Sequence, residues 1–262
     1  MEAGSLAIGI VALAGLFNNA LDCFEYVQLG RGFSTNFQTS LLKLDNARLR
    51  LSRWGESVGL TGELENTQSQ QVVAVATEDT PKAEEVLGQI LELFANAEGI
   101  SMKYKIRADE NDSHLSVLDP NTNMDTSGQT LHKKMRDLAI RRQNKTFLRQ
   151  KVKWALYEEK HFKRLIEDIT DLVNDLVQLF PAVQQEQRRL CGVEVSEIGT
   201  AHSSLPILKD IAASQDKDLE NAIVDFLKSN GIGGSTFNNY NSKISQQIGT
   251  VHIHGAQTFN IS

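Results

Sequence analysis

Between Ala3 and Leu21 the chain carries no charged side chain, and most of the run SLAIGIVALAGLFNNAL is aliphatic or small. No other stretch limits the fold as strongly. A helix needs about 20 largely apolar residues to cross a bilayer, with a range of roughly 17–25, so this run sits at that threshold. In an all-α protein the same segment is ordinarily the central core helix. Gly9, Gly15 and the alanines permit close packing in either environment. Asp22 and Glu25 follow at its end, where insertion would leave them at the headgroup level. Glu2 stands where a secretory leader would carry Lys or Arg, and no cleavage site follows, so the segment reads as retained.

The rest of the composition is that of a globular protein, with 40% hydrophobic and 23% charged residues among 262. A net charge of -6 argues against a general nucleic-acid binder. Cys23 and Cys191 have no CxxC or His spacing around them and read as reduced thiols, not as a disulfide framework.

Helical rhythm dominates to about residue 229. One helix is expected over 5–28, stopped by GRGF, and a second over 35–54 with Phe37, Leu41, Leu44, Ala47, Leu51 and Trp54 on one stripe. The stretch WGESVGLTGELENTQSQ reads as loop. Thr80-Pro81 opens a further helix, with Thr80 as N-cap and Pro81 in the first turn. Residues 109–129 read as a polar surface loop, and Leu131–Tyr157 and His161–Phe180 as two long helices. Shorter helices are expected at 182–192 and 216–229. This pattern defines an all-α helical bundle.

Composition changes sharply at Ser229. From there to Ser262 the single charged side chain is Lys243, amid Asn, Gln, Gly, Ser and Thr. Such a segment resists helix formation. In extended form Ile244, Gln246 and Ile248 share one face. Across Gly249-Thr250 the phase flips to Val251 and Ile253, which suits a strand–bend–strand unit. Uncharged β-formers with Asn and Gln suit in-register cross-β stacking. A disordered polar tail is the alternative. The organisation is therefore a helical domain over 1–228 and a tail over 229–262.

No catalytic signature is found: GxxxxGK[ST], GxGxxG, GxSxG and HExxH are all absent. His252 and His254 share a strand face but have no carboxylate or thiolate nearby, so no metal and no cofactor are assigned. The basic pairs Lys133-Lys134 and Arg141-Arg142 read as a solvated helix face or a surface for anionic lipid. The chain is read as a non-enzyme.

The strings GIVALAGLFNNALDCFEYVQLGRGF (9–33), ARLRLSRWGESV (47–58), ILELF (90–94) and RRQNKTFLRQKVKWALYEEK (141–160) resemble the HeLo domain of the fungal HET-S/HET-s heterokaryon-incompatibility family. The resemblance covers about residues 4–225. It implies a helical bundle that tends to dimerise and can include a short β-hairpin. It also implies prion-controlled programmed cell death: a C-terminal amyloid motif templated by an identical or related motif, often on an NLR-type receptor. The helical domain then gives up its N-terminal helix to the membrane as a pore-forming toxin. On that scheme the latent membrane segment is about 4–24, and Leu6, Ile8, Ile10, Val11, Leu13, Leu16, Phe17 and Leu21 insert. Asp22 and Glu25 mark the membrane boundary. The amyloid core is Ile244, Gln246, Gln247, Ile248, Gly249, Val251 and Ile253, where Gln247-Ile248-Gly249 also resembles the RHIM core of necroptosis proteins. The protein is then cytoplasmic at rest and at the plasma membrane once activated. A non-toxic prion-like adaptor that restrains an active homologue is the alternative function.

Overall fold

The computed structural model describes residues 2–30, 33, 36–61, 79–107, 118–143, 155–157, 159–200 and 202–230. Among them are nine α-helices and two short strands. The helices are α1 (Glu2–Cys23), α2 (Phe37–Ser57), α3 (Thr80–Arg107), α4 (Pro120–Asn123), α5 (Thr126–Arg141), α6 (Glu159–Leu179), α7 (Gln184–Ile198), α8 (Leu205–Gln215) and α9 (Lys217–Ser229). Strands β1 (Val27–Leu29) and β2 (Ala155–Tyr157) pair in parallel, with Val27 opposite Ala155 and Leu29 opposite Tyr157. The tail from residue 231 onward, with its expected amyloid core, lies outside the described residues.

The central helix is α2, not α1. It packs against α5, α6, α7 and α8, so its burial goes well beyond the expected stripe. Leu42, Leu49 and Arg53 are as enclosed as Leu51 and Trp54. A helix with neighbours on all sides must bury whatever it carries. Asp45, Arg48 and Arg53 survive there because each meets a polar partner, as shown below. The helix also runs past the expected stop at Trp54, through Gly55 to Ser57. It ends in a Schellman motif: Gly59 has φ 84°, and Leu60 N–H donates to Gly55 O at 2.8 Å while Gly59 N–H donates to Glu56 O at 3.1 Å. Glycine adopts this left-handed turn without steric cost.

Three expected boundaries move. The first helix ends at Cys23, and after a 3-10 turn at Phe24–Tyr26 the chain becomes β1. The expected helix Leu131–Tyr157 stops at Arg141, and Ala155–Tyr157 is strand. The two strands are distant in sequence and parallel, so they form no hairpin, which needs antiparallel neighbours. The expected loop 109–129 holds α4 and the start of α5. Asp119 accepts from Asn121 N–H at 2.9 Å and Asp125 from Gly128 N–H at 2.7 Å, each satisfying a first-turn donor. An additional helix, α8, starts at Leu205-Pro206, where proline's missing N–H is of no consequence.

Candidate functional site

The first helix is the natural place to look, and it lies along α3 with its end against α2. Its apolar residues divide by face. Leu13, Ala14, Phe17, Ala20 and Leu21 are fully buried, while Val11 is 50% exposed. Leu16 is partly buried against the core. The side chains of Leu6, Ile8 and Ile10 lie outside the described residues. Among the described residues no helix is long and apolar enough to cross a membrane.

Phe17 is the anchor. Its ring lies edge-on to Trp54 with centroids 6.2 Å apart, and Trp54 in turn meets Phe180 at 5.9 Å. The ring fills the space left by Gly55: a Cβ there would stand 2.2 Å from Phe17 Cζ. Seven residues further, in the 3-10 turn after α1, Phe24 packs edge-on against Phe94 of α3 at 5.0 Å.

Polar contacts then fasten the end of the helix. Asn18 and Asp22 are buried. Asn18 Nδ2 donates to Ala14 O at 2.7 Å. Gln143, just beyond α5, donates to Asp22 Oδ1 at 2.9 Å and to Asn18 O at 3.5 Å. Glu25 is gripped by two arginines. Arg136 of α5 donates through Nε at 3.0 and 3.1 Å and through Nη2 at 2.6 Å, a bidentate fork. Arg48 of α2 completes the clamp through Nη1. Burial alone would raise the Glu25 pKa, but the Arg136 hydrogen bonds and the Arg48 charge outweigh it and hold the carboxyl at about 2. Cys23, beside this clamp, has its thiol pushed up to about 12 by burial and then by the Asp22 charge.

A second polar cluster lies on the other side of α2 and is fully enclosed. Arg53 donates to Glu194 of α7 from Nε at 3.0 Å and from Nη2 at 2.7 Å, and to Asp216 from Nη1 at 2.8 Å. Asp216 also caps α9, accepting from Leu219 N–H at 3.2 Å. Burial opposes the Arg53 charge, yet Asp216 and Glu194 raise its pKa further. Arg142 reaches the same Glu194 and also Glu56. Arg142 adjoins Gln143, so the two clusters are joined through consecutive residues. A continuous series of contacts thus runs from α9 through Arg53, Glu194 and Arg142 to Gln143 and α1.

Some expectations about charge change here. Arg142 is a buried member of this network, not part of a solvated face. Arg141 pairs with Glu197, and Lys134 Nζ donates to the α7 carbonyls of Glu197 at 2.8 Å and Ile198 at 3.2 Å. Such a cation suits the negative end of a helix. Lys133 remains exposed. Sequence reasoning passed over Arg53, Glu194 and Asp216, because pairs more than 140 positions apart leave no local signal. Among the described residues no group of His, Cys, Asp and Glu could hold a metal ion.

The fold and this site define an all-α bundle that holds an apolar first helix at its flank by one aromatic anchor and a polar clamp. The chain belongs to the HeLo family, whose model, described as prion-inhibition and propagation, matches residues 5–208. Two relatives from Podospora anserina, heterokaryon incompatibility protein s and heterokaryon incompatibility protein S, are each 35% identical to it over 221 residues. The matched part is 84% of this chain and 73% of theirs. The solved HET-s N-terminal domain has the same fold, with a TM-score of 0.72 at 35% identity, covering 85% of this chain and 99% of that one. A mutant form of that domain matches with a TM-score of 0.71 at 34% identity, covering 82% and 98%.

Proposed function

We propose that this protein is a fungal cell-death effector controlled by its tail. Residues 229–262 take up a cross-β form, templated by a related prion or an NLR-type receptor and propagated by self-association. The conversion unseats α9, the helix leading into the tail, and α1 is released from the cytoplasmic protein to permeabilise the plasma membrane. The observation that carries this reading is the pair of polar clusters, joined through the adjacent residues Arg142 and Gln143, that leads from Asp216 at the start of α9 to Asp22 near the end of α1.

Magnitudes support the coupling. Burying Leu13, Phe17 and Leu21 stabilises the docked helix by about 1.5–3 kcal/mol each, and a lipid interior offers the same side chains a comparable gain. Withdrawing Asp216 leaves Arg53 short of one carboxylate inside the protein, and breaking a buried pair costs about 3–5 kcal/mol. A domain of this size is stable by about 5–15 kcal/mol in all. Loss of one helix cap and one buried pair therefore consumes a large part of what keeps α1 seated.

Leakage of dye-loaded anionic vesicles tests the proposal. The full chain seeded with fibres of its own tail should release dye, and both the unseeded chain and a chain truncated after residue 228 should not. Asp22→Lys, which opposes burial of the helix end, should leak with less seed. A non-toxic adaptor is the second reading, favoured by the threefold grip of Arg136 on Glu25. Sealed vesicles despite fibre growth would support it.

A further inference from the structure

A cavity of ≈ 360 Å³ lies beneath the end of α1, between β1, α2 and α5. Its size falls in the range of roughly 300–1,000 Å³ typical of small-molecule sites. Phe37, Leu41 and Leu44 of α2 give it an apolar wall, continued by Leu29. Arg48 lines it as well, and that residue has an unmet requirement. It is 3% exposed, and its Nη1 engages Glu25. Its Nε and Nη2 have no acceptor among the described residues. Buried donors of this kind are rarely left unpaired. Nε and Nη2 together form one edge of the guanidinium, the edge that grips a carboxylate or phosphate through two parallel hydrogen bonds.

Other charged side chains ring the cavity and are paired among themselves or stand at its rim. Arg48 and Arg136 share the one carboxylate of Glu25. Asp45 and His132 meet at 2.7 Å. Burial disfavours a bare Asp45 carboxylate, and the Asp45 hydrogen bond raises the proton affinity of His132 against its own burial. Asp119 stands at the exposed rim, committed to capping α4. The inner cavity thus sets a buried arginine with two unpaired donors beside an apolar wall.

We propose that this cavity binds a small single-chain amphiphile with an anionic head, its oxyanion on the Nε–Nη2 edge of Arg48 and its alkyl chain along Phe37, Leu41 and Leu44. Glu25 fastens the end of α1 and also borders this cavity, so an occupant that binds only the docked form strengthens the resting state by mass action. The site rests on the cavity alone and not on the tail or the membrane.

The test is calorimetric titration of the full chain, below micelle-forming concentrations, with decanoate, decyl phosphate, decanol and inorganic phosphate. One equivalent of decanoate or decyl phosphate should bind, the tighter of the two identifying the head group, and decanol and inorganic phosphate should bind at least tenfold more weakly. Arg48→Gln removes the gripping edge, and Leu41→Trp fills the apolar wall while sparing every charge. Each should weaken binding at least tenfold, and Leu41→Trp decides the matter if Arg48→Gln does not fold. Equal binding of decanol, unchanged binding by the folded variants, or no binding of either anionic amphiphile overturns the site. No fibre or vesicle enters the titration, so such a result would leave the proposed function standing.

Discussion

Phe17 and Gly55 share one volume: the ring of the first occupies the space in which any side chain on the second would have to sit, 2.2 Å from its Cζ. This contact joins α1 to the central helix at its most enclosed point. Gly55→Ala should therefore expel the ring even though alanine is the better helix former by about 1 kcal/mol. Overpacking costs about 1–3 kcal/mol, so a net loss of about 1 kcal/mol is expected in denaturant unfolding. Phe17→Leu in the same chain should recover part of it, since a smaller side chain makes room for the new methyl.

The Glu25 clamp predicts an acid limb. Its carboxyl titrates at about 2 in the folded protein against 4.5 when unperturbed, so the group is depressed on folding. The stability it adds is complete above pH ~4.5 and is lost as pH falls from there toward 2. Glu25→Gln should lower stability at pH 7 by about 2 kcal/mol, since Arg48 is then left buried without its carboxylate. It should also flatten the decline between pH 4.5 and 2 measured by urea unfolding.

The enclosed cluster around Arg53 predicts coupling between distant helices. Asp216→Asn keeps a capping oxygen for α9 but removes the charge facing Arg53. Global stability should fall by about 3 kcal/mol. Hydrogen exchange should quicken in α9 and also in the segment 13–23 of α1, whereas a purely local effect would leave α1 protected. A double-mutant cycle between Asp216→Asn and Gln143→Ala should give a coupling energy of at least 0.5 kcal/mol, although the two residues share no contact.

Much of the bundle was legible in the sequence, and the failures have physical causes. The helical spacing of Leu165, Ile169, Leu172, Leu176 and Leu179 marked α6, and Leu165, Ile169 and Leu176 are buried there while Leu172 and Leu179 are partly buried. By contrast α2 is enclosed on every side, so a single stripe understated it. The stretch from Trp54, Gly55 included, read as loop because it is rich in Gly, Ser and Thr. Gly55 persists inside α2 because Phe17 needs its empty space. Val27–Leu29 and Ala155–Tyr157 look helical in isolation and become strands through each other. Of the expected site residues, Leu13, Phe17 and Leu21 are buried, Val11 is exposed, and Asp22 and Glu25 are held by Gln143, Arg48 and Arg136. Those partners stand 23 to 121 positions away, beyond any local pattern.

Both cysteines are buried, and burial raises both thiols. Neither should react with maleimide at pH 7 faster than the protein opens. Cys191 lies inside the bundle between α7 and its neighbours, and Cys23 ends the helix proposed to leave. Their relative reactivity therefore reports which part of the molecule opens first. Local opening of α1 gives Cys23 before Cys191, and global unfolding gives both together.

Release of α1 on conversion of the tail is the central claim, and timed maleimide labelling of Cys23 tests it most directly. The full chain is mixed with vesicles and seeded with fibres of residues 229–262, and a chain truncated after residue 228 serves as control. The account predicts that labelling of Cys23 accelerates at least tenfold as fibres grow and stays slow in the truncated chain. Cys23 remaining as protected after complete fibre formation as before it would contradict the account.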